Sequence, residues 1–250
     1  VSAGGAGRRL DELIVERGLA ESRTRAQALI LAGRVFVATK RIDKPGQRLA
    51  QDCEIVVRGR DHPWASRGGI KLAHGLDHFG LNPAGLVCLD LGASTGGFTD
   101  VLLSRGAARV YAVDVGHGQL AWRLRQDPRV VVLERTNARN LSPAQVPEPI
   151  ALIVCDVSFI GLATVLPAAL ALAAPEAALI ALIKPQFEAG RADVGKGGVV
   201  RDAAVRDAVC AKLADWIEAR PGWSVLGVCP SPILGPRGNV EFLIAARLGA

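Results

Sequence analysis

The chain has 250 residues, half of them hydrophobic and 22% charged, with 30 Lys/Arg against 24 Asp/Glu and a formal net charge of +6. That length has room for one large domain, alone or with a small one, and the composition fits a soluble globular protein with a sizeable core. The basic excess is uneven: residues 1–70 hold 13 Lys/Arg against 8 Asp/Glu, whereas residues 71–250 hold 17 against 16. A module that meets a polyanion has this asymmetry, and so does a solvated basic face; charge alone leaves both open. The five cysteines (Cys53, Cys88, Cys155, Cys210, Cys229) form no CxxC pair and are odd in number. Free thiols in a reducing, cytoplasmic compartment explain them better than disulfides or zinc.

In chain order, VSAGGAG has no apolar h-region, so residues 1–7 read as a disordered start and not as a secretory signal. In RLDELIVERGLAESRTRAQALILAGRVFV, apolar residues recur at Leu10, Leu13 and Ile14 and again at Ala26, Leu29 and Ile30, the spacing of two amphipathic helices. Ser22 is placed to N-cap the second helix and Gly33 to be its C′ residue. The alternating VFV, a KPG turn at 44–46 and a strand at EIVV complete a basic module over residues 8–58. Domains that small are marginal alone and serve as attachments.

Arg8-Arg9-Leu10-Asp11, Ser22-Arg23-Thr24-Arg25-Ala26-Gln27 and Gly33-Arg34-Val35-Phe36-Val37 resemble an S4 domain, a small α+β RNA-binding module of ribosomal proteins and RNA-modifying enzymes. The resemblance implies RNA contacts by Arg8, Arg9, Ser22, Arg23, Arg25, Gln27 and Lys40, joined by Arg67 beyond the module. Arg23, Arg25 and Gln27 fall in the first turn or so of the second helix, where phosphates can also meet free backbone N–H groups. The pattern has no stacking aromatics of the kind that read single-stranded bases, so backbone and shape recognition is expected.

Residues 59–66 read as a linker. From Leu86 the pattern becomes strand–helix alternation, with strands expected at VCLDLG, RVYAVDV, VVVL, IALIVCDV, ALIALIK, WSVLGVC and VEFLIAARL. Long apolar β runs separated by helices indicate a parallel sheet covered on both faces. The last two runs leave no room for a helix and predict an edge hairpin with an antiparallel seventh strand. Residues 67–250 are thus expected to form an α/β, Rossmann-like seven-stranded domain of the methyltransferase layout. The very apolar stretch 149–185 is interrupted by Asp156, Pro167, Pro175 and Glu176 and falls short of the roughly 20 residues a bilayer requires; no membrane partner is expected.

Asp90-Leu91-Gly92-Ala93-Ser94-Thr95-Gly96-Gly97-Phe98-Thr99 follows the first of these strands and leads into a helix, and about one strand–helix unit later Asp114 ends the second. Such a loop lets backbone approach a ligand at the carboxyl edge of the sheet, with the acid placed for a ribose diol. A nicotinamide enzyme has the same layout, but here the glycines fall at 92, 96 and 97 and do not spell GxGxxG. DLGxxxGGF resembles motif I of methyltransferases, especially the FtsJ-like ribose group. That resemblance implies an S-adenosylmethionine site using Asp90, Gly92, Ser94, Gly96, Gly97, Phe98, Asp114, Asn137 and Asp156; for Asn137 a plain turn role stays open.

Asp156 and Lys184 end the fourth and fifth strands, Glu241 begins the antiparallel seventh, and Lys71 lies near the start of the helix GGIKLAHGLDHF, expected to run back against the first strand. All four should converge at the sheet edge where ligands bind, and charges that end apolar strands need partners or a task. Lys–Asp–Lys–Glu in this order resembles the tetrad of FtsJ-like 2′-O-methyltransferases. A ribose hydroxyl is a poor nucleophile, and a lysine can take its proton where charge or burial lowers the lysine's own pKa. The resemblance assigns Lys184 as general base, Lys71 and Asp156 as orienting groups and Glu241 as their support.

SRGGIKL (66–72), CDVSFI (155–160), KPQFE (184–188), GKGGVVRD (195–202) and GPRGNVEF (235–242) extend the likeness to the TlyA-type family over almost the whole chain. Membership implies a ribosomal RNA 2′-O-methyltransferase acting on cytidine, with ribosomal RNA or subunits as partners. The Gly-rich segment 189–198 is expected to be a mobile loop that orders over RNA. Two rivals remain: a non-catalytic RNA-binding or assembly factor, and a membrane-active haemolysin-like protein. His74 and His78 stand four apart on a helix with no acidic or Cys partner nearby in sequence, so they read as ordinary histidines and no metal is expected.

Overall fold

The computed structural model describes residues 7–20, 22–58 and 62–249. The disordered start expected over 1–7 lies outside them except for Gly7, whose carbonyl accepts a 2.8 Å hydrogen bond from Arg48.

The small domain runs β1 (Arg8–Arg9), α1 (Leu10–Glu16), α2 (Arg23–Leu31), β2 (Val35–Val37), β3 (Lys40–Arg41), β4 (Arg48–Leu49) and β5 (Ile55–Val57). The six apolar residues expected to face inward on the two helices are all buried, against Val35, Ile42 and Ile55. Ser22 caps α2 by accepting from the Arg25 amide at 3.2 Å. Gly33 follows the C-cap with φ +67°, the left-handed turn that stops the helix. β2 pairs antiparallel with both β3 and β5, and β1 pairs with β4. β1, β3 and β4 are two residues each, too short to leave a periodic trace in sequence.

The large domain continues with α3 (Gly68–His78), β6 (Val87–Leu91), α4 (Gly97–Ser104), β7 (Arg109–Val113), α5 (Trp122–Arg125), β8 (Val130–Leu133), β9 (Ile150–Cys155), α6 (Leu162–Leu170), β10 (Ala173–Ile183), α7 (Pro185–Glu188), α8 (Ala203–Glu218), β11 (Trp223–Pro230) and β12 (Phe242–Leu248). The sheet order is β11-β12-β10-β9-β6-β7-β8, with β12 antiparallel to both of its neighbours and β6 to β10 parallel. This is the Rossmann-like methyltransferase sheet. Alternation along the strands supplies two cores: Cys88, Leu152, Ile180 and Leu243 face the side covered by α3 and α4, while Leu89, Ile153, Leu179 and Ile244 face α6 and α8.

Three expectations are corrected. α3 packs mainly on α4, β10 and β12 rather than against β6. Gly75 on α3 lies so close to the sheet that a Cβ there would be 3.4 Å from both Ile180 and Leu243. Second, the end of the expected linker is built into the large domain: Ala65 is 4% exposed in its core, its amide donates to Asp100 Oδ2 at 2.6 Å, and Trp64 covers Gly69; residues 59–61 lie outside the described ones. Third, the fifth strand begins earlier than the expected ALIALIK and takes in Pro175 and Glu176. The register slips between Ala173 and Ala178, with Glu176 at φ +60°, and β10 continues through the bulge. Among the described residues, no helix is long and apolar enough to cross a membrane.

Candidate active site

After β6 the chain turns through Gly92 (φ +81°), Ser94 (φ +48°) and Gly96 (φ +94°) into α4. Two of its glycines are required by protein rather than by ligand. A Cβ on Gly92 would sit 2.8 Å from the Asp156 carbonyl oxygen, and one on Gly97 would sit 2.3 Å from Ser66 Oγ and 3.0 Å from the Gly69 amide. The bare backbone thus brings the starts of α3 and α4 together. Gly96 faces Leu120 and Leu124 instead and lines neither cavity described below.

Asp90 also departs from its expected place. It is fully buried beneath the loop, accepts from Thr99 Oγ1 at 2.6 Å, and is absent from the lining of the cavities described below. Burial pushes its carboxyl up to about 7, and Oδ1 has no hydrogen-bond partner among the described residues. It braces α4 from below. Asp114 lies where expected, at the end of β7, but its carboxylate already accepts from the Ser94 amide at 2.8 Å and the Gly116 amide at 2.7 Å. A carboxylate has about four acceptor sites, so capacity for a ligand hydroxyl remains.

Gly92, Ser94, Asp114, Asn137 and Asp156 line a cavity of about 700 Å³, within the range of small-molecule sites. Asn137 has the turn role, its Oδ1 accepting from the Arg139 amide at 3.1 Å, and it also lines the cavity. A second cavity of about 280 Å³ runs past Arg67, Lys71, Gly97, Phe98, Asp156 and Lys184. A third, of about 260 Å³, lies between Phe159, Lys184, Phe187, Arg237 and Glu241.

The four tetrad residues meet where these cavities join. The register opposes Ile183 to Phe242, which sets Lys184 and Glu241 side by side at the edge. Lys71 Nζ lies 2.6 Å from Glu241 Oε2, and Lys184 Nζ lies 2.5 Å from Asp156 Oδ1. Each lysine therefore has its own carboxylate. Lys71, Lys184 and Glu241 are buried, where unpaired charge is strongly unfavourable. A Cβ on Gly235 would fall 2.0 Å from Glu241 Oε1, so that loop position has to be glycine.

Two neighbours were missed by the sequence reading. Lys184 Nζ also donates to Ser158 Oγ at 2.9 Å. Phe159 is 90% exposed, in a left-handed conformation (φ +65°), with its ring 5.0 Å from that of Phe187. Both lie in the CDVSFI motif, but a serine and a phenylalanine after a strand have no signature apart from the tertiary site.

In the small domain, Asp11 is fully buried and collects three of the residues expected to bind RNA. It accepts from Arg9 Nε at 3.0 Å, Arg23 Nε at 3.1 Å and Gln27 Nε2 at 2.8 Å. These partners, Arg9 foremost, hold its carboxyl well below the usual range. Arg8 pairs with Glu16 at 2.6 Å, and the Ser22 hydroxyl is taken by the helix cap. The Arg9 and Arg23 side chains still keep 37% and 53% of their surface exposed, and Arg25 and Lys40 are exposed. Arg67 lies elsewhere, on the wall of the second cavity. The segment 189–198 contains a short 3₁₀ turn (Arg191–Asp193) and a Gly195–Val199 bridge, and Asn239 Nδ2 and Arg237 Nη1 donate to the Gly198 and Gly197 carbonyls at 2.9 Å.

Residues 64–248 match the family model described as FtsJ-like methyltransferase, and residues 8–54 match the S4 domain. The chain is 49% identical over 240 residues to the 16S/23S rRNA (cytidine-2′-O)-methyltransferase TlyA of Mycobacterium tuberculosis, covering 96% of this chain and 89% of that protein. The chain belongs to the TlyA-like family of FtsJ methyltransferases with an S4 domain. Another relative in the family, Hemolysin A of Brachyspira hyodysenteriae, is 40% identical, with 94% of this chain and 98% of that one covered. A solved structure from Streptococcus thermophilus, also bearing a hemolysin name, superimposes with a TM-score of 0.74 at 39% identity, over 98% of this chain and 90% of that one. A TlyA-like chain thus has its small domain, its glycine loop and its two ion pairs in one molecule.

Proposed function

We propose that this protein is an S-adenosylmethionine-dependent methyltransferase that modifies a ribose 2′-hydroxyl of ribosomal RNA, on a cytidine. The observation that carries this reading is the two ion pairs, the buried Lys71–Glu241 and the partly buried Lys184–Asp156, where the three cavities meet. S-adenosylmethionine would supply a methyl group already activated on a sulfonium. The donor set fits it: the Asp114 carboxylate with spare acceptor sites, Asn137 beside it, and loop backbone held close by glycines. Gly92, Ser94, Asp114 and Asn137 would hold it, with Gly97 and Phe98 shaping the adjoining wall.

The residues do the remaining work. Lys184 Nζ, after giving up one proton to solvent, takes the hydroxyl proton as a neutral amine, with Ser158 and Asp156 fixing its direction. Lys71, held by Glu241, keeps a positive charge beside the oxygen as it gains negative character. Positioning supplies much of the rate, because the methyl group needs little further activation. The basic small domain supports RNA as the partner through phosphate contacts, and the cytidine assignment rests on the relative from Mycobacterium tuberculosis. A ribosomal substrate would be met in the cytoplasm, a reading that five free cysteines support.

The test is transfer of labelled methyl from S-adenosylmethionine to purified ribosomal subunits and to naked ribosomal RNA, with a Lys184→Ala control. Label on a cytidine 2′-oxygen, lost in the control while cofactor affinity stays within about twofold, is the expected result. Cofactor binding without transfer to any of these substrates would leave an RNA-binding assembly factor as the better account.

A further inference from the structure

The two histidines set aside in the sequence acquire a third partner in the fold. His74 and His78 lie one turn apart on α3, their rings stacked with centroids 5.8 Å apart at 29°. Cys229, on β11 and buried, comes up against them although it stands about 150 residues away in the chain. One ligand atom from each of the three lies within 4.8 Å of the other two. His74 is half-buried and His78 is exposed, so the group has an inner sulfur, an outer imidazole and a path to solvent. Asp77, between the histidines on the helix, is held by two hydrogen bonds from Arg105, of 2.5 and 3.0 Å, and stands apart from the set.

We propose that His74, His78 and Cys229 form a binding site for a zinc ion, with a solvent molecule in the fourth position. Two imidazoles and a thiolate are a donor set that zinc takes in tetrahedral geometry, with metal–ligand bonds of about 2.0–2.3 Å. Those bonds require donor atoms roughly 3.3–3.8 Å apart. No separation exceeds 4.8 Å, so the group has to close by about 1 Å at most, a distance within reach of side-chain torsions. On binding, the thiol proton passes to solvent and the thiolate and two neutral imidazoles donate to the metal; no oxidation state changes.

The location gives the site a consequence. α3 carries Lys71 one turn before His74, and Cys229 pairs in register with Leu243 on β12, two residues beyond Glu241. The metal would staple the far half of α3 to the strand pair whose near end holds the partner of Lys71. Neither the proposed methyl transfer nor its cofactor is needed for this inference.

The experiment uses the full chain without a histidine tag, stripped with a chelator and titrated with cobalt(II) as a probe for zinc, then with zinc in competition. The expected result is one equivalent bound, with a thiolate-to-cobalt charge-transfer band that zinc abolishes, and a higher melting temperature with zinc. His78→Gln alters an exposed side chain and leaves the core intact; Cys229→Ser removes the sulfur. Cys229→Ser should abolish the band, and each variant should weaken the metal by about 100-fold or more, beyond the 10–100-fold typical when only a group that orients a ligand is changed. Absence of the band in the wild-type chain would overturn the site, and so would unchanged affinity in His78→Gln.

Discussion

The Lys71–Glu241 pair permits a prediction that separates stability from chemistry. Lys71→Met leaves Glu241, 1% exposed, with neither carboxylate oxygen partnered among the described residues. Breaking a buried pair from one side costs about 3–5 kcal/mol, whereas replacing both partners with apolar groups of similar volume is often neutral or stabilising. In a domain of about 150–250 residues each kcal/mol moves the melting temperature by about 2–4 °C, so Lys71→Met should fall by roughly 6–20 °C. Glu241→Leu should fall comparably, because it strands the lysine, and Lys71→Met/Glu241→Leu should recover most of the loss. All four tryptophans, Trp64, Trp122, Trp216 and Trp223, belong to the large domain, so their fluorescence during thermal or urea unfolding reports on that domain. Methyl transfer should be lost in both single variants and in the double. Single variants within about 1 kcal/mol of wild type, or costs that simply add in the double, would refute the reasoning.

Three further outcomes follow from the same structure. Gly97→Ala forces a methyl group against Ser66 Oγ and the Gly69 amide and should weaken S-adenosylmethionine at least tenfold in calorimetry; wild-type affinity would mean that the starts of α3 and α4 need not meet. Asp90 has a folded-state pKa near 7 against 3.8 for an ordinary aspartate, so between about pH 4 and 7 the folded chain keeps a proton that the unfolded chain has released. Its contribution to stability therefore declines as pH rises through that window and stays lower above it; Asp90→Asn should flatten the urea midpoint between pH 5 and 8, and an unchanged slope would contradict the assignment. Asp11→Ala removes the acceptor that Arg9, Arg23 and Gln27 share, leaving the two arginines their looser pairing with Glu12, and hydrogen bonds to a charged group are worth about 1.5–3 kcal/mol each. The small domain should then become protease-sensitive and RNA affinity should fall at least tenfold with cofactor affinity unchanged; intact RNA binding would show that Asp11 does not organise that face.

The sequence by itself determined the elements whose signals are local. Apolar spacing placed α1 and α2 and the seven long strands, the side-chain chemistry of Ser22 and the missing Cβ of Gly33 placed the ends of α2, and charged residues at the ends of apolar strands marked the edge where ligands bind. Parallel strands share a carboxyl edge, so even the convergence of Lys71, Asp156, Lys184 and Glu241 was legible. Tertiary structure alone decided how those groups pair. A sequence gives the order of charges, but which lysine meets which carboxylate depends on the register of β12 against β10 and on the packing of α3 over those strands. The same limit explains Asp90, whose burial comes from elements on either side of it, and Asp11, which gathers Arg9 from β1 and Arg23 and Gln27 from α2. It also explains Cys229, which reaches His74 and His78 only because β11 lies beside β12 and α3 crosses them. Local periodicity records which way a side chain faces; its partners come from distant segments, and packing selects them.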